Sequence, residues 1–269
     1  MENTPSTDGL EELAALAADI AQEAGELAHR RRAEGVAVAA TKSSLADVVT
    51  EADREVEQLI RRRLTAARPA DGFLGEETGA EPGESGITWV VDPIDGTVNY
   101  LYGIPHYAVS IAAVSGEPVP SKWRQLVGVV HTPSLGEVYR AVRGGGAWLG
   151  EQRLEVSVPG DAGALLATGF GYDPATHEGD FGRLRRAMPL VRDIRRSGSA
   201  SLDLCYVAAG RLDGYFERGL HPWDHAAGGL LVLEAGGRLG GLPDGAPGRE
   251  MTIAACPELF ERIAAAVYQ

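Results

Sequence analysis

Trp89-Val90-Val91-Asp92-Pro93-Ile94-Asp95-Gly96-Thr97-Val98-Asn99-Tyr100 is the stretch from which the rest of the chain is read: an apolar run ends in two carboxylates, a proline, a glycine and a hydroxyl. Trp-Val-Val has the aromatic and β-branched composition of a core strand, and Pro93 and Gly96 predict that the chain turns at once beyond it. Asp92 and Asp95 then leave the sheet close together. Two carboxylates side by side in a partly dry pocket repel, and each resists ionisation unless a cation neutralises it. Mg²⁺ suits such a place, because it prefers carboxylate and carbonyl oxygens and shares its shell with a phosphate. The amides of Gly96 and Thr97 could face an anion if they open a helix. A bare Asp-x-x-Asp is more often an Asx-turn pair, but the apolar approach and the Gly-Thr that follows favour a site.

Further acids are spaced along the chain. Glu76, in Gly75-Glu76-Glu77, follows the apolar pair Phe73-Leu74 and so sits just beyond a short strand. In His221-Pro222-Trp223-Asp224-His225, Pro222 suits the first position of a helix, which puts Asp224 in its first turn, where the helix dipole favours negative charge. Trp223 beside it makes burial plausible and gives the carboxylate a reason to seek a cation. Thr50 and Asp53 resemble a capping box with Asp in place of Glu or Gln, ahead of a helix with Val56, Leu59, Ile60 and Leu64 on one face. Capping accounts for Thr50 better than for Asp53.

The wider pattern is layered α/β or α+β. An amphipathic helix is predicted over residues 8 to 32, with Arg30-Arg31-Arg32 compensating its C-terminal dipole, and a second over 51 to 67. Strands are predicted near 88 to 92, 107 to 114, 126 to 131 and 136 to 142. The second half alternates strands near 165, 192 to 196, 212 to 217 and 251 to 256 with helices near 180 to 190, 199 to 209, after 222 and from 257. A formal net charge of −13 over 269 residues argues against nucleic acid as a partner. No run approaches the ~20 apolar residues of a membrane span, and the acidic start, Met1 to Asp8, does not read as a secretory signal. These features predict a cytoplasmic protein, with Cys205 and Cys256 as buried free thiols.

These segments resemble, in order and spacing, the inositol monophosphatase family of Mg²⁺-dependent, lithium-sensitive phosphatases, over roughly residues 10 to 269. Asp92-Pro-Ile-Asp95-Gly-Thr97 is similar to the family's first signature and Trp223-Asp224-His-Ala-Ala-Gly228 to its second. Gly75-Glu76-Glu77, Asp47-Val-Val-Thr50-Glu-Ala-Asp53 and the Lys42-Ser43-Ser44 loop stand in their expected places. The resemblance implies a five-layered α-β-α-β-α sandwich, a single unit with lobes of about 1–155 and 156–269, and a homodimer. It implies that Glu76, Asp92, the Ile94 carbonyl, Asp95 and Asp224 hold two to three Mg²⁺ ions. It implies that Thr97 and Asp53, with Glu76, activate a water, and that the amides of Gly96 and Thr97 hold the phosphate. Asp95, Gly198, Ser199, Ala200, Glu217 and Asp224 would meet the substrate, and Lys42 would lie on a mobile loop.

The activity implied is hydrolysis of inositol 1-phosphate to inositol and phosphate, because Val98-Asn99-Tyr100 resembles the inositol phosphate branch. Fructose 1,6-bisphosphate, histidinol phosphate and 3′-phosphoadenosine 5′-phosphate remain alternatives, as does a non-catalytic metal-binding regulator. Other motifs read as structural. Arg143-Gly144-Gly145-Gly146 lacks the ending of a phosphate-binding loop and predicts a tight hairpin, and Ser197-Gly198-Ser199-Ala200-Ser201 predicts a helix start. His221 and His225 stand four apart like zinc ligands, but Pro222 replaces the glutamate of a zinc hydrolase motif. The segment 118–126 predicts a long hairpin that could reach the pocket.

Overall fold

The computed structural model describes residues 7–35, 38–41 and 48–268, with backbone alone for 38–41, 48 and 49. The expectations for Lys42, Ser43, Ser44 and Asp47 lie outside the described residues. The first half runs α1 (Thr7–Glu34), β1 (Val38–Thr41), β2 (Val48–Thr50), α2 (Glu51–Ala67), β3 (Gly72–Gly75), β4 (Gly79–Glu81), β5 (Ile87–Asp95), α3 (Thr97–Tyr102), β6 (Ala108–Gly116), β7 (Trp123–Thr132), β8 (Glu137–Val142), β9 (Gly146–Leu149) and β10 (Gln152–Arg153). The second half runs β11 (Ala164–Thr168), α4 (His177–Ala187), β12 (Val191–Arg195), α5 (Ala200–Ala208), β13 (Gly214–Glu217), α6 (Pro222–Glu234), β14 (Arg238–Gly240), β15 (Thr252–Ala255) and α7 (Pro257–Val267). No helix among the described residues is long and apolar enough to cross a membrane.

Among the described residues β1 and β2 pair only with each other. The other strands form two mixed sheets, an eight-stranded one in the order β10-β9-β8-β7-β6-β5-β3-β4 and a five-stranded one in the order β12-β11-β13-β15-β14. Alternation along β5 explains the layering. Trp89 and Val91 point to α1 and α2, where Ala17, Ile20, Ala24, Val56 and Ile60 are buried, while Val90 points the other way into the core built by α5 and α6. With helices on both faces the strand is apolar without alternation from Trp89 to Val91. α5 and α6 also cover the inner face of the smaller sheet through Leu202, Leu204, Leu230 and Leu231 against Ala167, Tyr215 and Ala254. The outer face of that sheet, with Leu166, Phe216 and Ile253, is closed by α7 and the end of α4. The result is the expected five-layered α-β-α-β-α sandwich.

Close approach depends on small residues. A Cβ on Gly128 of β7 would stand 2.6 Å from the Ala227 carbonyl oxygen, so α6 lies directly on the sheet there. Within the central layer, a Cβ on Gly228 would meet Leu204 Cβ at 2.7 Å, which brings α5 and α6 together.

One local expectation is corrected. The chain does not turn at once after Val91: β5 continues to Asp95. Its pairing with β6 slips, with Asp92 opposite Ser110 and Asp95 opposite Ala108, so three steps on β5 face two on β6. That is a bulge, where Pro93, lacking an N–H, removes no regular ladder bond. The turn comes one residue later than the bulge, at Gly96, whose φ is +94°. Segment 118–126 is the long hairpin anticipated: an exposed Lys122–Glu117 pair sits at its tip and Trp123 packs on the central layer. Arg30-Arg31-Arg32 also has a structural role. Arg31 bonds Glu34 and Glu55, and the Arg32 guanidinium lies against Gly103 at the end of α3.

Candidate active site

Asp92 and Asp95 reach the site from the bulged end of β5, Glu76 from just beyond the neighbouring β3, and Asp224 from the first turn of α6. Asp92 is 2% exposed, and its Oδ1 accepts the amide of Ile94 at 3.1 Å, an Asx turn inside the bulge. Asp95 Oδ2 is held more firmly, accepting Ser199 Oγ and the Ser201 amide, each at 2.7 Å, and the Ser201 hydroxyl. Asp224 Oδ2 accepts the His221 amide at 2.7 Å, which closes the start of α6. Glu76 is placed by its own amide, which donates to the Val91 carbonyl at 3.2 Å.

The electrostatics of these groups are one-sided. Burial pushes the Asp92 carboxyl well above its ordinary range, and the charges acting most on it are all acids: Glu76, Asp95, Asp224 and Asp53. Asp224 is pushed the same way by burial and then by Asp95 and Glu76. Burial also raises Asp95, against the bonds from Ser201 and Ser199. Tyr172 was not singled out from the sequence and is 47% exposed, yet partial burial and then Asp224, Asp95, Glu76 and Glu217 act to hold its hydroxyl protonated. It lies on a loop, where no periodicity marks it.

Beside the acids stands a polar pair tied to α2. Thr97 Oγ1 is 3.2 Å from Asp53 Oδ1 and 3.1 Å from the Ile94 carbonyl oxygen, so its single proton has two competing acceptors. Asp53 Oδ2 accepts the Thr50 amide at 2.8 Å and the Thr50 hydroxyl, completing the capping box with Asp as its acid. Burial raises Asp53 from 3.8 to about 6. Glu57, missed in the sequence, lies one turn further along α2 and accepts the amides of Glu77 and Thr78 at 2.8 and 2.9 Å. It anchors the turn that carries Glu76. A buried acid at i+4 from Asp53 on the apolar face of α2 was the available signal.

Gly96 and Gly198 bring two backbones together. Both have positive φ, +94° and +86°, and a Cβ on Gly96 would stand 3.0 Å from the His106 carbonyl oxygen and 3.1 Å from that of Gly198. Asn99 locks the same junction, with Nδ2 donating to the carbonyls of His106 and Ser197 at 2.8 and 2.9 Å. Ser199 and Ala200 open α5 as anticipated. Glu217 ends β13, half-buried, with its Oε2 accepting the Tyr215 hydroxyl at 2.6 Å. Burial raises it from 4.5 to about 7. His225, by contrast, is buried in the central layer, and His221 stacks on Trp223 with ring centroids 4.8 Å apart.

The pattern of the Inositol monophosphatase family matches residues 9–269. The chain belongs to the inositol monophosphatase family. An inositol-1-monophosphatase of Rhizobium meliloti is 48% identical over 199 residues, 71% of each chain. The inositol-1-monophosphatase SuhB of Mycobacterium tuberculosis is 42% identical over 276 residues, covering 95% of this chain and 93% of its own. In structure, the extragenic suppressor protein suhB of Bartonella henselae superposes with a TM-score of 0.87 at 36% identity, covering 96% of this chain and 99% of that one.

Inositol monophosphatases are phosphoric monoester hydrolases and generally metal-dependent. The donors here fit a hard cation in chemistry: carboxylates and a carbonyl, mutually repelling, with only acids among the strongest charges on Asp92. Among the described residues no three His, Cys, Asp or Glu groups already surround one point. Asp95 and Asp224 each have an oxygen turned to protein donors, at Ser199 and Ser201 and at His221.

Proposed function

We propose that this inositol monophosphatase family member hydrolyses inositol 1-phosphate to inositol and phosphate with two to three Mg²⁺ ions. The observation that carries this reading is the nearness of Glu76, Asp95 and Asp224 to the buried Asp92 carboxyl group, whose ionisation all three oppose, beside the Thr97–Asp53 pair. Glu76, Asp92, the Ile94 carbonyl, Asp95 and Asp224 are the proposed ligands. When bound, Mg²⁺ lowers the pKa of a water, orients it in line and stabilises charge on the departing oxygen.

The chain's own groups do the rest. The Gly96 and Thr97 amides receive the phosphate. Thr97 Oγ1, set between Asp53 and the Ile94 carbonyl, orients the attacking water, and Asp53 with Glu76 takes up its proton. The water oxygen bonds to phosphorus as the bond from phosphorus to the ester oxygen breaks, and that oxygen takes a proton from solvent water to give the free alcohol. Gly198, Ser199 and Ala200 present backbone to the polyol, and Glu217, Asp95 and Asp224 accept its hydroxyls. Because Asp53, Glu76 and Asp92 come from the first 155 residues and Glu217 and Asp224 from the rest, we infer one catalytic unit made of two lobes.

We also infer a lithium-sensitive, cytoplasmic homodimer; Tyr102 and Ile104, 76% and 48% exposed at the end of α3, offer apolar surface for pairing. Sedimentation at micromolar concentration tests it. The activity is tested with Mg²⁺ on inositol 1-phosphate, fructose 1,6-bisphosphate, histidinol phosphate and 3′-phosphoadenosine 5′-phosphate. Inositol 1-phosphate is expected to give the highest kcat/KM, and Asp92→Asn or Asp95→Asn to abolish it in a folded protein. Full activity in either variant refutes the assignment.

A further inference from the structure

The Glu217 carboxyl group lies flat against the backbone of Gly169. A Cβ built on Gly169 would meet Cδ, Oε2 and Oε1 of Glu217 at 2.0, 2.0 and 2.1 Å. Near-equal distances to all three atoms mean that the face of the carboxyl group, not an edge, is turned toward residue 169. The sheet explains the meeting: β11 and β13 are parallel with Thr168 opposite Phe216, so the next residues, Gly169 and Glu217, leave the two strands side by side. Gly169 has no positive φ. What the glycine supplies is therefore space rather than backbone freedom, and alanine is compatible with its conformation.

The second restraint comes from β13 itself. Tyr215, two residues earlier and on the same face, is fully buried in the central core, and its hydroxyl donates to Glu217 Oε2 at 2.6 Å. A glutamate at a strand end otherwise rotates about three side-chain bonds, and ordering it on binding lowers affinity. Here both the position and the tilt of the carboxyl group are set beforehand. Oε2 is occupied by a donor, and Oε1 is the oxygen without one from Tyr215.

We propose that Tyr215 and Gly169 are positioning residues that set selectivity for polyol phosphates, by fixing the Glu217 carboxyl group before substrate arrives. This rests on the reading of Glu217 as the acceptor of substrate hydroxyls. Neither residue is among those proposed to hold the phosphate or the attacking water, so each affects recognition of the alcohol rather than the hydrolytic step.

The test uses the Mg²⁺-loaded protein, Tyr215→Phe and Gly169→Ala, with two substrates, inositol 1-phosphate and 4-nitrophenyl phosphate, which has no ring hydroxyls to read. In both variants the ratio of kcat/KM for the first over the second is expected to fall about tenfold, carried by KM for inositol 1-phosphate. An unchanged ratio overturns the proposal. Equal losses on both substrates also overturn it, because they reveal a role in the fold alone. Crystal structures of the variants give a readout independent of turnover: the carboxyl group is expected to leave the face of residue 169 in both. If it stays in place in Tyr215→Phe, the tyrosine does not position it and the proposal fails. Wild-type protein that hydrolyses neither ester with Mg²⁺ refutes the phosphatase reading, and the crystal comparison still decides the positioning.

Discussion

Crowding of buried carboxylates makes the metal-free protein sensitive to pH in a calculable direction. Asp53 is 1% exposed, and its pKa rises from 3.8 to about 6 on folding. Between those values the folded state holds more protons than the unfolded one, so its stability is full below pH 3.8 and falls as pH rises through 6. For Asp53 alone the loss is roughly 3 kcal/mol by pH 7. Asp92, Asp95 and Asp224 are raised by burial, and Asp92 and Asp224 also by neighbouring acids, so all three contribute with the same sign. A divalent cation reverses the trend, since it binds the deprotonated groups. At a hundredfold excess over Kd it adds about 2.7 kcal/mol, which for a chain of this size raises Tm by roughly 5–10 °C.

Thermal melts at pH 5, 6, 7 and 8, with chelator or with Mg²⁺, measure this. The gain in Tm on adding Mg²⁺ is expected to grow from pH 5 to pH 8. Asp92→Asn should raise the Tm of the metal-free protein at pH 8, by replacing a buried carboxyl whose ionisation favours the unfolded chain, while erasing most of the Mg²⁺ response. A gain that is absent at pH 8, or greatest at pH 5, would refute the argument that these acids form a cation site.

Three further outcomes follow from particular contacts. Thr97→Ala removes the hydroxyl between Asp53 and the Ile94 carbonyl and is expected to lower kcat by about 10²-fold or more, while Thr97→Ser keeps most of it, as steady-state assays would show. Glu57→Ala strips the acceptor from the Glu77 and Thr78 amides; it should cost about 1–3 kcal/mol in denaturant titrations and weaken Mg²⁺ binding by calorimetry, because the turn carrying Glu76 loosens. Gly128→Ala drives a methyl into the Ala227 carbonyl and is expected to lower stability by roughly 1–3 kcal/mol, with an unchanged melting curve counting against close contact of α6 and β7.

The elements legible in the sequence were those whose cause is local. β5 announced itself through Trp89-Val90-Val91, α2 through its apolar face and the Thr50–Asp53 box, and α6 through Pro222. The acids that the family resemblance implies as ligands sit at or just beyond the ends of such elements. The short strands β9, β10 and β14 were not singled out, because strands of two to four residues owe their existence to the neighbour they pair with.

The bulge in β5 shows where local reasoning stops. Pro93 and Gly96 both signal a break, but Ser110 and Ala108 of β6 hold the strand together through Asp95, and only Gly96 ends it. That extra length decides the site. Had the chain turned at Pro93, Asp95 would leave the sheet early; instead it is carried on to the start of α5, where Ser199 and Ser201 take one oxygen. Glu57 and Gly169 escaped notice for the same reason. Each acts on a residue distant in sequence, Glu57 on Glu77 twenty positions away and Gly169 on Glu217 across a parallel strand pair. The residues that would carry out the chemistry are thus written in short motifs, whereas the residues that hold them in place are specified by the two sheets.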